Sequence, residues 1–142
     1  MALNFANSNT RATLLDVGLL LMRVWAGLAL FLAHGKDKLL NFSERAETFA
    51  DPFGLGGAIS LGLVVFAEVI CALLLTIGLA TRIVAIPLVI SMLVATYMHA
   101  VVWGDSFADY ELALFFATAF AMFALTGPGR FSVDHARPRR RR

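Results

Sequence analysis

Four long apolar stretches, broken by short polar segments, organise this chain: residues 12–33, 59–79, 83–103 and 110–125. A helix needs about 20 residues to cross a hydrocarbon layer ~30 Å thick. The first three stretches meet that length directly, and the fourth meets it by taking Ser106–Asp109 as its first turn. The pattern predicts an all-α polytopic membrane protein, an antiparallel four-helix transmembrane bundle with spans at about 12–33, 59–79, 83–103 and 108–126. Only Ala80-Thr81-Arg82 joins the second span to the third, which makes those two antiparallel neighbours. Gly78 is expected to stop the second helix and Thr81 to cap the third.

The connection between the first two spans is long and patterned. Leu39, Phe42, Ala46 and Phe49 recur at helical spacing among Lys38, Glu44, Arg45 and Glu47. Residues 36–50 therefore read as an interfacial amphipathic helix between spans one and two. Asp51-Pro52-Phe53-Gly54 breaks it, and Gly56-Gly57 leads into span two. After the last span, Gly127-Pro128-Gly129-Arg130 cannot continue a helix. No strand precedes those glycines and no helix is expected after them, so they mark a helix stop rather than a phosphate loop. Residues 127–142 read as a basic cytoplasmic tail of a single membrane domain covering 1–142.

Composition supports the same class. Hydrophobic residues make up 59% of the chain and charged ones 15%, against about 25% charged in soluble domains. The net charge of +2 says little, but its placement says more. Six of the twelve Lys and Arg follow the last span, Arg11 precedes the first, and Arg82 lies between the second and third. With four spans these segments share one side, and the positive-inside rule makes that side cytoplasmic. The expected location is the inner (plasma) membrane of a bacterium, multi-pass, with both termini cytoplasmic. The first apolar run is too long for a signal peptide and lacks a small-x-small cleavage site. The Arg-rich tail serves topology and anionic lipid; nucleic acid is not an expected partner, because no soluble module accompanies the tail. Cys71 is the single cysteine and is expected to pack as a small apolar residue.

Charges inside the spans carry the functional signal. Arg23 and Glu68 fall within apolar runs, where an ionised group costs ~2.5–3.5 kcal/mol on insertion scales. Asp16, Arg23, Gly27 and His34 share one helical face, and Gly27 would admit a close neighbour. Counted along their spans, Arg23 and Glu68 both come near the midplane, which predicts that they pair there. His34, His99 and Glu111 fall near the other ends of three different spans and are expected to converge. Two His and a carboxylate are also a ligand set for Zn or non-haem Fe, so a metal at His34, His99 and Glu111 stays open as an alternative.

Read in order, Arg23-x-x-x-Gly27, His34-Gly35-x-x-Lys38, Glu68 and Gly78-Leu79-Ala80-Thr81-Arg82 resemble the DoxX family of small membrane proteins. The resemblance continues through His99, Tyr110-Glu111-Leu112-Ala113 and Gly127-Pro128-Gly129-Arg130-Phe131-Ser132-Val133-Asp134, covering nearly all of 20–134. It implies four helices and membrane redox chemistry, since the family takes its name from a subunit of a thiosulfate:quinone oxidoreductase. Other members are linked to partner enzymes of redox or thiol stress.

The leading expectation is a quinone-interacting membrane redox component, an oxidoreductase subunit with a polar pocket in the outer leaflet. Arg23, His34, Glu68, His99 and Glu111 are the candidate quinone-binding residues, and quinone is the cofactor implied. His and Glu can donate or accept a proton at a quinone oxygen. The sequence has no haem motif and no flavin or nucleotide fingerprint, so in this reading electrons come from a partner redox protein or from the substrate. Two alternatives remain: a non-catalytic subunit or scaffold that docks a partner enzyme, and a small-solute transporter gated by Arg23 and Glu68. A homo-oligomer is compatible with each.

Overall fold

The computed structural model describes residues 7–136, and these are helical apart from turns and connecting loops, with no strand among them. Four helices are long and apolar enough to cross a membrane: α1 (Ser8–Leu40), α3 (Gly57–Ile77), α4 (Thr81–Trp103) and α5 (Phe107–Thr126). Two short helices accompany them among the described residues, α2 (Phe42–Ala46) and α6 (Val133–Ala136). The bundle has a terminal end, where α6 and the α3–α4 turn lie, and an opposite loop end carrying α2. The segment 137–142, expected to form part of a basic tail, lies outside the described residues.

Local chemistry explains where the helices start and stop. Gly78 takes φ +75° at the end of α3, and Leu79 N–H reaches back to Leu74 O at 2.9 Å, a glycine stop of the Schellman kind. Ser106 caps α5 in a reciprocal box with Asp109, whose Oδ2 accepts from Ser106 N–H at 3.0 Å and from Ser106 Oγ at 2.7 Å. Thr81, by contrast, is not the cap of α4 that its residue type predicts. Ala80 precedes the helix at φ 51°, and Asp134, far along the chain, accepts from Ala80 N–H at 2.7 Å and Thr81 N–H at 2.9 Å. A carboxylate at a helix N-terminus also meets the positive end of the dipole.

The connection 36–50 differs from the single amphipathic helix expected. Lys36–Leu40 continues α1 without a break, Asn41 interrupts it, and only Phe42–Ala46 forms a separate helix. Asp51 organises the loop that leads into α3. Its carboxylate accepts from Leu55 N–H, Gly56 N–H and Ser60 Oγ, tying the loop to the first turn of that helix. Those three donors hold the Asp51 carboxyl below the usual carboxylate range, the Gly56 bond being the largest cause.

Glycines set the register between α1 and α3. A Cβ on Gly27 would sit 2.2 Å from Thr76 Oγ1 and 2.7 Å from Ala72 O; one on Gly35 would sit 2.5 Å from Glu68 O. The two backbones touch at both positions, as small residues permit in membrane bundles. The core lies where α1, α3, α4 and α5 meet, around Leu30, Leu75, Leu88, Phe120 and Phe123, with Cys71 buried among them. Leu21, Ile83, Ile86 and Leu125 are exposed, as a lipid-facing surface requires. Trp25 belongs with them at 71% exposure rather than in the packing.

Candidate functional site

Arg23 and Glu68 do not pair. Glu68 is 3% exposed, and its two oxygens accept from Lys38 Nζ at 2.7 and 2.6 Å. Arg23, 1% exposed, turns instead to backbone carbonyls at the terminal end. Its Nε donates to Thr76 O at 3.3 Å, and its two terminal nitrogens donate to Pro128 O at 2.8 Å and Phe131 O at 2.7 Å. The depth count failed because α1 runs on to Leu40 and slides along α3 until Gly35 meets Glu68. That register brings Lys38 to the middle of α3 and leaves Arg23 beside the last turn of α3. Thr76 O belongs to that last turn, so the cation sits at the negative end of the helix dipole.

The segment after α5 is therefore part of the bundle, not a tail hanging beyond it. Arg130 N–H and Nε donate to the two oxygens of Asp16, Arg23 holds the carbonyls on either side, and Asp134 caps α4. Gly129 packs against Asp16 and Leu19, and Gly78 packs against the Arg23 guanidinium and Ser132. The motif read as a helix stop is a clasp that joins α1 to the α3–α4 turn. Asp16, Arg23, Arg130 and Asp134 serve that clasp.

At the loop end the helices border an open space. From Phe66 onward α3 packs on α4, whereas Gly57–Val65 packs against α2. Between the diverging halves lies a cavity of about 800 Å³. Its walls are apolar, with Leu63, Val64, Phe66, Ile90 and Val94 on the two helices and Phe49 and Phe53 from the α2–α3 connection. Pro87, inside α4, lies on its wall and removes one backbone donor there. Lys38 and Glu68 lie on one side of the cavity, and His99 with Trp103 nearer the loop end.

His99 is held from two directions. Its Nδ1 is 2.7 Å from Asp105 Oδ2, and its ring meets Trp103 edge-on at a centroid distance of 4.7 Å. Of the other expected site residues, His34 is exposed on α1 and Glu111 is exposed on α5, and neither lines this cavity. The expected convergence of His34, His99 and Glu111 does not occur, and among the described residues no group of three His, Cys, Asp or Glu is placed to hold a metal. Lys38 and Asp105 are the site residues that sequence reasoning passed over. Lys38 carried a signal, one helical turn beyond His34 on the polar face of α1; Asp105 carried none beyond its type.

Three helices contain a widened π turn, at Phe31–Gly35, Phe66–Cys71 and Met98–Trp103. These turns hold His34, Glu68 and His99. Such turns are rare and recur at functional sites, because each rotates the downstream residues against the helix before it. At Phe31–Gly35 and Phe66–Cys71 the two widened turns pack on each other, with Gly35 against the Glu68 carbonyl.

The fold and cavity define a small four-span membrane protein with an open apolar cavity between two of its spans. The sequence model of the DoxX family matches residues 18–101, more than half of the chain, and the protein belongs to that family. The match includes the clasp residue Arg23 and the cavity residues Lys38, Glu68 and His99. Neither the curated proteins nor the solved structures gave a match.

Proposed function

We propose that this DoxX-family protein is a membrane redox component that takes quinone into the cavity between α3 and α4. The observation that supports this reading is the cavity itself. Its volume of about 800 Å³ falls within the roughly 300–1,000 Å³ typical of small-molecule sites. Apolar walls suit a ring and the start of an isoprenoid tail, and the divergence of α3 and α4 gives a lipophilic molecule a route from the bilayer. The polar groups also fit. Lys38 has three N–H donors and uses two on Glu68, leaving one for a ligand oxygen. His99 has Nδ1 engaged by Asp105, which leaves Nε2 to meet a ligand.

Quinone, when bound, supplies two-electron, two-proton chemistry; a partner redox protein or the substrate supplies the electrons. The side chains bind and handle protons. His99 accepts a proton at Nε2 and passes it on, a role imidazole can play in either direction. Glu68 fixes the Lys38 ammonium against one wall, where an unpaired cation would be costly.

In the same reading the terminal end faces the cytoplasm across the inner membrane. Arg11, Arg82 and Arg130 all lie towards that end, as the positive-inside rule asks. Cysteines introduced at positions 45 and 135 should then be labelled from opposite sides of the membrane; labelling of both from one side would reverse or remove this assignment.

Binding can be read from the protein itself, which has two tryptophans. Trp25 is lipid-exposed and outside the cavity, so a Trp25→Phe variant isolates Trp103 as a cavity reporter. Decylubiquinone should quench that emission saturably, and Val64→Trp, which fills the cavity, should abolish quinone retention in a lipid extract. Absence of saturable quenching would exclude quinone as the occupant, and a partner enzyme recovered with an extract free of quinone would favour the scaffold reading.

A further inference from the structure

The chain between α4 and α5 folds back on itself in a way that neither helix requires. Gly104 takes φ +69° after Trp103, a left-handed conformation in which a side chain is strained. The turn lets Asp105 N–H reach His99 O at 2.9 Å, and the same residue then presents Oδ2 to His99 Nδ1 at 2.7 Å. Asp105 thus grips His99 twice, once through the backbone and once through the ring. The widened turn Met98–Trp103 rotates the ring to that position, and Trp103 closes its flank. Asp109, the next acid along, is committed to the Ser106 cap and does not compete.

We infer that Asp105 is a positioning residue for His99, holding the ring proton on Nδ1 so that Nε2 is presented to the cavity as an acceptor. A carboxylate accepts and cannot donate, so a neutral imidazole beside it must place its single proton on Nδ1. The two ring nitrogens are distinct, and the partner of one decides the state of the other. Without Asp105 both tautomers become open to the ring, and the acceptor facing the cavity is lost for part of the population. Lys38, Arg45 and Glu68 are the other charged groups on the cavity wall. Lys38 and Glu68 are bound to each other, and Arg45 is paired with Asp37. The inference rests on the quinone reading only for the identity of what Nε2 meets.

The test uses the full chain in nanodiscs with ¹⁵N-labelled histidine, recorded at alkaline pH where imidazole is neutral. Of the three histidines, His34 and His135 are removed by substitution with Gln so that His99 is read alone. The wild-type spectrum should show one tautomer, protonated at Nδ1. Asp105→Ala should give a mixture, and Asp105→Glu should restore the single tautomer at least in part. In parallel, Asp105→Ala should weaken quenching of Trp103 by decylubiquinol, whose O–H donates to that acceptor, by on the order of tenfold, the worth of about one well-made hydrogen bond. A His99 spectrum unchanged by Asp105→Ala overturns the inference. Altered tautomers in a protein that never binds decylubiquinone would uphold the positioning role while sinking the quinone reading.

Discussion

Lys38 Nζ, on α1, lies 2.6 Å from one oxygen of Glu68 on α3 and 2.7 Å from the other, so a single ammonium satisfies both acceptors of a carboxylate buried midway along a membrane span. The pair stands in the cavity wall, where the register of α1 against α3 brings the two side chains together. Removing either partner strands a buried charge. Glu68→Ala and Lys38→Met should each destabilise the protein by about 3–5 kcal/mol. The double variant Lys38→Met/Glu68→Leu should recover most of that loss. Arg23, held by other partners, should show a coupling to Glu68 below about 0.5 kcal/mol, the level of independent sites. Thermal unfolding of the cycle in one detergent checks both pairings.

Helix contact predicts a sharp split among glycines. Gly35→Ala forces a Cβ to 2.5 Å from the Glu68 carbonyl oxygen, a backbone atom that cannot swing aside. It should cost about 1–3 kcal/mol, as overpacking does, and disturb the cavity as well. Gly18 and Gly62 meet nothing within 4 Å, so alanine there should be neutral or stabilising by up to about 1 kcal/mol. Melting temperatures of the three alanine variants, measured side by side, would show whether these contacts hold the helices together.

The clasp at the terminal end gives a second pair of outcomes. Asp134→Ala removes the cap of α4 and should cost about 0.5–2 kcal/mol. Arg23→Met leaves three carbonyls without their donor and should cost more than the loss of the cap. Both should loosen residues 127–136, seen as faster proteolysis after Thr126, while leaving quinone quenching at the far end of the bundle unchanged.

Acid should weaken the loop end through Asp51. Its folded-state pKa is depressed by the bonds from Gly56 and Ser60. The stabilisation is therefore present above the unfolded value of about 3.9 and is lost as pH falls through the lower folded value. Asp51→Asn cannot ionise, so its deficit relative to the wild type should be largest at neutral pH and shrink below about pH 4. Melting curves of the two proteins across that range would reveal the convergence.

Much of this protein was legible in its residues. Four apolar stretches of spanning length determine an all-helical membrane bundle, because a backbone in lipid must satisfy its own hydrogen bonds. Gly78 and Gly27 announced a stop and a close contact through local chemistry alone. Glu68 and His99 stood out as ionisable residues in or near an apolar run, and both line the cavity.

Partnership was not readable. Arg23 and Glu68 have opposite charges at matching counts along their spans, yet each found another partner. Hydropathy marks where a helix is apolar, and it does not mark how far the helix runs or how it slides against its neighbour. Only packing sets that register, here through Gly27 on Ala72 and Thr76 and Gly35 on Glu68. Once it is set, Lys38 must meet Glu68, and Arg23 must seek carbonyls at the end of α3. The cap of α4 by Asp134 and the hold of Asp105 on His99 have the same origin. Each depends on chain folding back through a loop, and neither hydrophobic period nor residue type records where a loop returns.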